Sequence, residues 1–326
     1  MDPTLTLAPF FPGPQHLVHK PDSPEAYLLG AGTPAPQRFT FATELPDAHP
    51  LFDGADRPFH DLLFPVEALR RAALFAARQY FRVPEKRVTA MATAGTEITE
   101  VEAWRSSGAA GVSARISLDL TLTPVDVVTG VPRGMECEAV VAIDGRRCGT
   151  AMARLVFLSP GVHRAHRTAG RQQSERSLAG RPRAVTGSPT PEQVGRGAAH
   201  HVFVGLPVPD GDDTLVLPVD TAAAATLLGD GSDAVPPALF LEASRQAALI
   251  AAAELHGFLP AHAVLTRWRA AFRGYAEPEL ALHCAVRSKG TPVRDAARRP
   301  AIRLHLSFLQ GDREVAQVAA TVLQDC

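Results

Sequence analysis

The chain has 326 residues, 46% of them hydrophobic and 21% charged, with 25 Gly and 28 Pro spread along it. This composition excludes a disordered or fibrous chain, and the length exceeds one small core, so two domains of roughly 150 residues each are expected. A formal net charge of -1 supplies no global field for nucleic acid or an anionic membrane, no window approaches about 18 uninterrupted apolar residues, and Met1 to Pro14 lacks a basic stretch followed by an apolar one.

A cytoplasmic protein with neither nucleic-acid nor membrane partner is therefore the expectation. Cys137, Cys148, Cys284 and Cys326 show no CxxC spacing and no paired His cluster. They are read as reduced packing residues, and neither a metal nor any other cofactor is expected.

In chain order, the first long periodic element is the Ala-rich segment Leu62 to Phe81, a predicted helix with Asp61 as N-cap and Pro65 in its first turn. Beyond it, Ile116, Leu118, Leu120 and Leu122 alternate with Arg115, Ser117, Asp119 and Thr121, the pattern of a strand with one core face and one wet face. Asp144-Gly145 between Ala142-Ile143 and Arg146-Arg147 is a strong hairpin signal.

From Pro160 to about His200 the apolar period lapses and Arg, Ser, Gly and Pro accumulate. The stretch 161–199 is read as a linker between an N-terminal domain, 1–160, and a C-terminal domain, 200–326. It carries Arg164, Arg167, Arg171, Arg176, Arg181, Arg183 and Arg196 against Glu175 and Glu192. A solvated connector is the expectation; docking of an acidic carrier protein is the alternative.

A second helix is predicted from Pro237 to His256, stopped by Gly257. Its Leu239 to Ala253 stretch is apolar or small on nearly every face, so it should be buried all round. Next, Trp268, Ala270 and Phe272 can face that helix while Arg267, Arg269 and Arg273 share the other face, read as solvated or as a docking face for a carrier protein or coenzyme phosphate. Ile302, Leu304, Leu306 and Phe308 then alternate with Arg303, His305 and Ser307, and Phe308 to Arg313 repeats the first half's last hairpin.

The chain thus repeats one order of elements: a long Ala-rich helix, then alternating strands. One buried helix wrapped by a curved antiparallel sheet is the hotdog arrangement. The expected fold is α+β, a tandem (double) hotdog whose copies form an internal pseudo-dimer, with further homodimerisation left open.

Glu67 and Arg70 sit at i, i+3 near the start of the first helix, and Glu242 and Arg245 occupy the same places in the second. A carboxylate and a guanidinium in an Ala-rich helix cost several kcal/mol to desolvate unless they pair or face a polar cavity. Each pair is read as catalytic, against the alternative of a structural ion pair inherited by both copies. In acyl transfer the Glu would be a general base on an incoming hydroxyl, and the Arg would hold a phosphate or polarise a thioester carbonyl. Arg71, Gln246, His49 and His60 complete the set as candidate substrate-binding residues; either His could equally be a loop residue capping backbone. The patterns GxGxxG, GxxxxGK[ST], GxSxG and HExxH are absent.

At these residues the sequence resembles the A-factor biosynthesis hotdog family, the γ-butyrolactone autoregulator synthases. The resemblance spans most of both halves, leaving out the linker and roughly the first ten residues. It rests on Val18-His19-Lys20, Phe39-Thr40-Phe41, Leu45-Pro46-Asp47-Ala48-His49-Pro50-Leu51-Phe52 and Pro65-Val66-Glu67-Ala68-Leu69-Arg70-Arg71. In the second half it rests on Val219-Asp220-Thr221 and Leu241-Glu242-Ala243-Ser244-Arg245-Gln246-Ala247-Ala248.

The resemblance implies transfer of a β-ketoacyl group from an acyl carrier protein or acyl-CoA thioester to the hydroxyl of a small phosphorylated acceptor, dihydroxyacetone phosphate. It makes Glu67, Arg70, Glu242 and Arg245 the active-site residues. The sequence departs from the family where Asp47 replaces an Arg, where Arg71 replaces a Gln, and from Thr221 to Pro237, where a His-rich stretch is replaced by one with no His. These departures point to an altered second site or a changed substrate. A dehydratase, thioesterase or cyclase acting on a polyketide-like thioester, and a non-catalytic acyl-binding protein, are the competing readings.

Overall fold

A computed structural model describes residues 16–20, 35–44, 58–106, 114–178, 187–222 and 234–325. They form two units that divide between His163 and Arg164. The first comprises β1 (His16–Lys20), β2 (Gln37–Glu44), α1 (Phe64–Gln79), β3 (Val88–Ile98), β4 (Arg115–Val128), β5 (Val131–Ile143) and β6 (Arg146–Leu158). Its strands run β1-β2-β4-β5-β6-β3, with every pair antiparallel.

The alternation seen in sequence sets the register. Ile116, Leu118, Leu120 and Leu122 on β4 lie opposite Ile143, Val141, Ala139 and Cys137 on β5, and all eight side chains are buried. Ala68, Leu69, Ala72, Ala73, Ala76 and Ala77 bury one side of α1, which packs on β3, β4, β5 and β6. Asp144 and Gly145 both have positive φ, 48° and 80°, the backbone of a tight two-residue hairpin turn. Thr129 and Gly130, at 50° and 77°, turn β4 into β5 in the same way.

The helix starts later than its sequence pattern indicates, at Phe64 rather than Leu62, with Leu63 at the cap position. Asp61 is not its N-cap. The Asp61 carboxylate accepts the Leu63 N–H at 2.9 Å and so turns the chain just ahead of the helix.

The second unit contains most of α2 (Pro160–Leu178), then β7 (Val208–Pro209), β8 (Thr214–Val219), α3 (Pro237–His256), β9 (Ala263–Phe272), β10 (Leu282–Ser288), β11 (Val293–Arg294), β12 (Pro300–Gln310) and β13 (Arg313–Gln324). Its strand order is β9-β13-β12-β10-β8-β7, with β11 beside β12. The path β2-β4-β5-β6-β3 of the first unit is therefore repeated as β8-β10-β12-β13-β9. In each, the strand that follows the helix pairs with the last strand of the unit. Both units are hotdog folds, and the tandem expected from the sequence is present.

Every residue of α3 from Ala238 to Ala252 is buried. The helix ends at Gly257, whose φ of 67° is the left-handed conformation that glycine takes without strain. Trp268 is buried under it and donates its indole N–H to Ser244 Oγ at 2.8 Å. Arg267 and Arg269 are exposed on the other face of β9, as the alternation requires.

The stretch read as a linker is partly helical. α2 carries few apolar residues, and polar bonds hold it: both oxygens of buried Glu277 accept from Arg167, and buried Ser174 accepts from Arg313 Nε at 2.9 Å. A helix anchored by ion pairs leaves no apolar period to read. Arg181 and Arg183 lie outside the described residues.

Cys137, Cys148 and Cys284 are buried and unbridged; Cys326 lies outside the described residues. Burial pushes all three thiols up, Cys148 to about 11, so none is a ready nucleophile. Among the described residues no helix is long and apolar enough to cross a membrane.

Candidate active site

Glu67 lies in the first turn of α1, and the helical spacing places Arg70 and Arg71 one turn on, over the same face. Arg70 donates from Nε to Oε2 at 2.7 Å and from Nη2 to Oε1 at 2.6 Å. Arg71 Nε adds a third bond to Oε1 at 2.7 Å. The carboxylate is 1% exposed, whereas the Arg70 and Arg71 side chains are 23% and 24% exposed. Burial pushes the Glu67 carboxyl up, but the charges and hydrogen bonds of Arg70 and Arg71 outweigh it and hold the group below the usual carboxylate range.

His60 stands four residues ahead of α1, half-buried, with its backbone N–H bonded to Trp104 O at 2.8 Å. This bond ties the approach to the helix to the segment after β3. His49 lies outside the described residues.

The equivalent carboxylate on α3 is enclosed differently. Arg245 donates to both Glu242 oxygens, at 2.9 and 2.7 Å. Arg196, from the segment 187–202, does the same with Nε at 2.8 Å and Nη2 on the other oxygen. Gln246 Nε2 adds a further bond to Oε1 at 2.6 Å.

The outer donors and acceptors are matched as well. Arg245 reaches Val194 O at 2.9 Å, Gln246 Nε2 also reaches His201 O at 2.7 Å, and Gln246 Oε1 accepts the Phe203 N–H at 2.9 Å. Side-chain exposure is 2% for Glu242, 0% for Arg196 and 5% for Arg245. Burial again pushes the acid up, but the Arg196 and Arg245 charges prevail and hold it at about 2.

The structure thus brings Glu67, Arg70 and Arg71 together in one cluster and Glu242, Arg245 and Gln246 in another. Sequence reasoning missed Arg196. Its signal was indirect: the first helix has Arg at both i+3 and i+4 from its Glu, whereas the second has Arg245 followed by Gln246, so an equal charge ratio required a cation from elsewhere. In each copy two guanidiniums meet one carboxylate. In the first they remain reachable from solvent; in the second they are sealed.

Two units, each a set of antiparallel strands holding a long helix with a buried acid near its start, define a tandem hotdog protein. A solved structure described as an oleoyl thioesterase, from Lactobacillus plantarum, shares this fold with a TM-score of 0.53 at 10% identity, over 91% of this chain and 99% of that one. Residues 11–159 and 176–324 each match the A-factor biosynthesis hotdog domain, and the chain belongs to that family.

Among its relatives is a 2-oxo-3-(phosphooxy)propyl 3-oxoalkanoate synthase of Streptomyces coelicolor, 28% identical over 239 residues, which cover 73% of this chain and 72% of the relative. A synthase of the same name from Streptomyces griseus is 26% identical over 261 residues, 80% of each chain.

Proposed function

We propose that the chain is an acyltransferase that moves a β-ketoacyl group from a thioester to the hydroxyl of dihydroxyacetone phosphate, with its chemistry at the Glu67 cluster. The relatives' shared name supports the reaction, because 2-oxo-3-(phosphooxy)propyl 3-oxoalkanoate is the ester of those two parts. The observation that carries the choice of site is the contrast in exposure between Arg70 and Arg71, each about a quarter exposed, and the sealed pair Arg196 and Arg245.

In this reading the acceptor hydroxyl attacks the thioester carbonyl, its proton passes to a base, and the C–S bond breaks to release a thiol. A carboxylate that accepts three charge-assisted hydrogen bonds and is held below its usual range is a weak base. Glu67 therefore serves better as the anchor that aims Arg70 and Arg71 than as the general base that its sequence position suggests. The two guanidiniums hold the acceptor phosphate and polarise the thioester carbonyl. Proton removal falls to an imidazole ahead of α1, His49 or His60. The donor is a carrier-protein or coenzyme A thioester, and the reaction belongs in the cytoplasm, where such thioesters are made.

The test is to incubate the purified chain with a β-ketoacyl thioester, with and without dihydroxyacetone phosphate, and to follow products by mass spectrometry. The expected product is the phosphorylated keto ester, formed only with the acceptor present. Free acid at the same rate in both mixtures would make the chain a thioesterase, and loss of water from the thioester would make it a dehydratase.

A further inference from the structure

A cleft of about 500 Å³ in the first unit is lined by none of the residues of the Glu67 cluster. Its floor is the cross-strand row Val125, Gly134 and Val156. Val156 stands between Leu155 and Phe157, both in the core, so its side chain points to the face of the sheet away from α1. A side chain at position 134 would meet Val125 Cγ2 at 2.8 Å and Leu155 O at 3.0 Å; glycine keeps the floor open.

Arg87, Arg133 and Arg154 line this cleft, and Asp126 is the one carboxylate among its lining residues. Arg87 Nη1 donates to Phe157 O at 3.3 Å. Arg133 and Arg154 are exposed and have no ion-pair partner among the described residues, although Glu136 is opposite Arg154 across the strand pair. Five half-buried or buried arginines elsewhere are instead held by carboxylates: Arg70 and Arg71 bind Glu67, Arg167 binds Glu277, and Arg196 and Arg245 bind Glu242. Three guanidiniums against one carboxylate leave this cleft with a positive lining.

We propose that the cleft binds a phosphate-rich small molecule, and that the nucleotide end of coenzyme A is the class that fits. The volume lies in the range of small-molecule sites. The planar guanidinium fork matches phosphate oxygens two at a time. Three such forks suit a diphosphate plus a ribose 3′-phosphate, and Val125 and Val156 offer an apolar rest for a flat base. A carrier-protein thioester would bring a single phosphodiester and leave much of the positive lining unmatched. The identity of the ligand rests on the acyl-transfer reading, whereas phosphate binding at the cleft does not.

The experiment is calorimetric titration of the full chain with coenzyme A, 3′-dephospho-coenzyme A and dihydroxyacetone phosphate, repeated on Arg133→Gln/Arg154→Gln and on Arg87→Gln. Coenzyme A should bind more tightly than its dephospho form. The double variant should weaken it by about tenfold or more, the scale of lost charge-assisted hydrogen bonds, while affinity for dihydroxyacetone phosphate stays unchanged. Thermal unfolding confirms that each variant is folded, and Arg87→Gln provides the same readout should the double variant fail that check. Coenzyme A that does not bind the native chain, or binds the folded variants equally well, overturns the proposal. A chain that binds coenzyme A here yet transfers no acyl group would remove the reaction and keep the site; acyl transfer with an unaltered KM for acyl-coenzyme A in the double variant would do the reverse.

Discussion

Glu67 and Glu242 hold the same place in their helices and the same two-to-one ratio of guanidinium to carboxylate, yet removing their charges should have opposite signatures. Glu67→Gln loosens the aim of Arg70 and Arg71 and is expected to lower turnover by about 10²- to 10³-fold, the cost of disordering donors at a developing oxyanion, with a modest change in stability. Glu242→Gln leaves Arg196 and Arg245 buried without their counter-charge and should cost about 3–5 kcal/mol of stability. Steady-state kinetics and thermal unfolding on both variants decide the matter; a larger turnover loss from a normally folded Glu242→Gln would move the chemistry to the second copy.

The depressed Glu242 carboxyl also fixes the sign of a pH effect. Its folded value, about 2, lies below the ordinary 4.5, so between those values the unfolded chain takes up a proton that the folded chain refuses. Stability from this group is fully present above about pH 4.5 and is lost as pH falls towards 2, a few kcal/mol in all. Glu67, also lowered, contributes with the same sign. Denaturant titrations should show the native chain losing stability between pH 5 and pH 3.5 more steeply than Glu242→Gln; equal slopes would show that the carboxylate is not held as the geometry indicates.

At the scale of elements, α2 has little apolar surface to bury and depends on few attachments. Arg167 is 19% exposed and its partner Glu277 1%, so Arg167→Ala strands a buried carboxylate. Hydrogen exchange should then report early opening of α2 (Pro160–Leu178), with protection in β4, β5 and β6 unchanged. Retained protection of α2 would show that its other bonds, from Arg313 to Ser174 and from Arg171 to Glu279, suffice. α3 is the contrasting case: it is buried continuously from Ala238 to Ala252, mostly through apolar and small side chains, so the Arg196–Glu242 pair adds to apolar packing rather than replacing it.

For the whole molecule, the sequence carried the fold wherever burial left a period. The alternation of Ile116 to Leu122, the all-round apolar character of α3 and the Asp144-Gly145 turn each recur in the structure, and together with the family motifs they identified a repeated hotdog. Elements held by charge left no such trace, so α2 and the buried segment around Val194 and Arg196 passed for linker. Within the candidate site, the i, i+3 pairing of Glu67 with Arg70 and of Glu242 with Arg245 was legible because helix geometry imposes it. The Arg196 contact was not, because nothing local in the chain relates residue 196 to residue 242.

That difference in reach has a kinetic side. The Glu67 cluster is complete within one helical turn and can assemble as soon as α1 winds. The Glu242 cluster must close a loop of 46 residues before its second cation arrives. The two copies of one ancestral arrangement should therefore mature at different times during folding, the local one early and the long-range one after the barrier. Arg196→Met is expected to accelerate unfolding while leaving the folding rate nearly unchanged. Stopped-flow measurements in denaturant read both rates, and a slowed folding limb would place the Arg196 bond inside the folding nucleus. Duplication thus left this chain with two copies of one charge cluster on two different clocks.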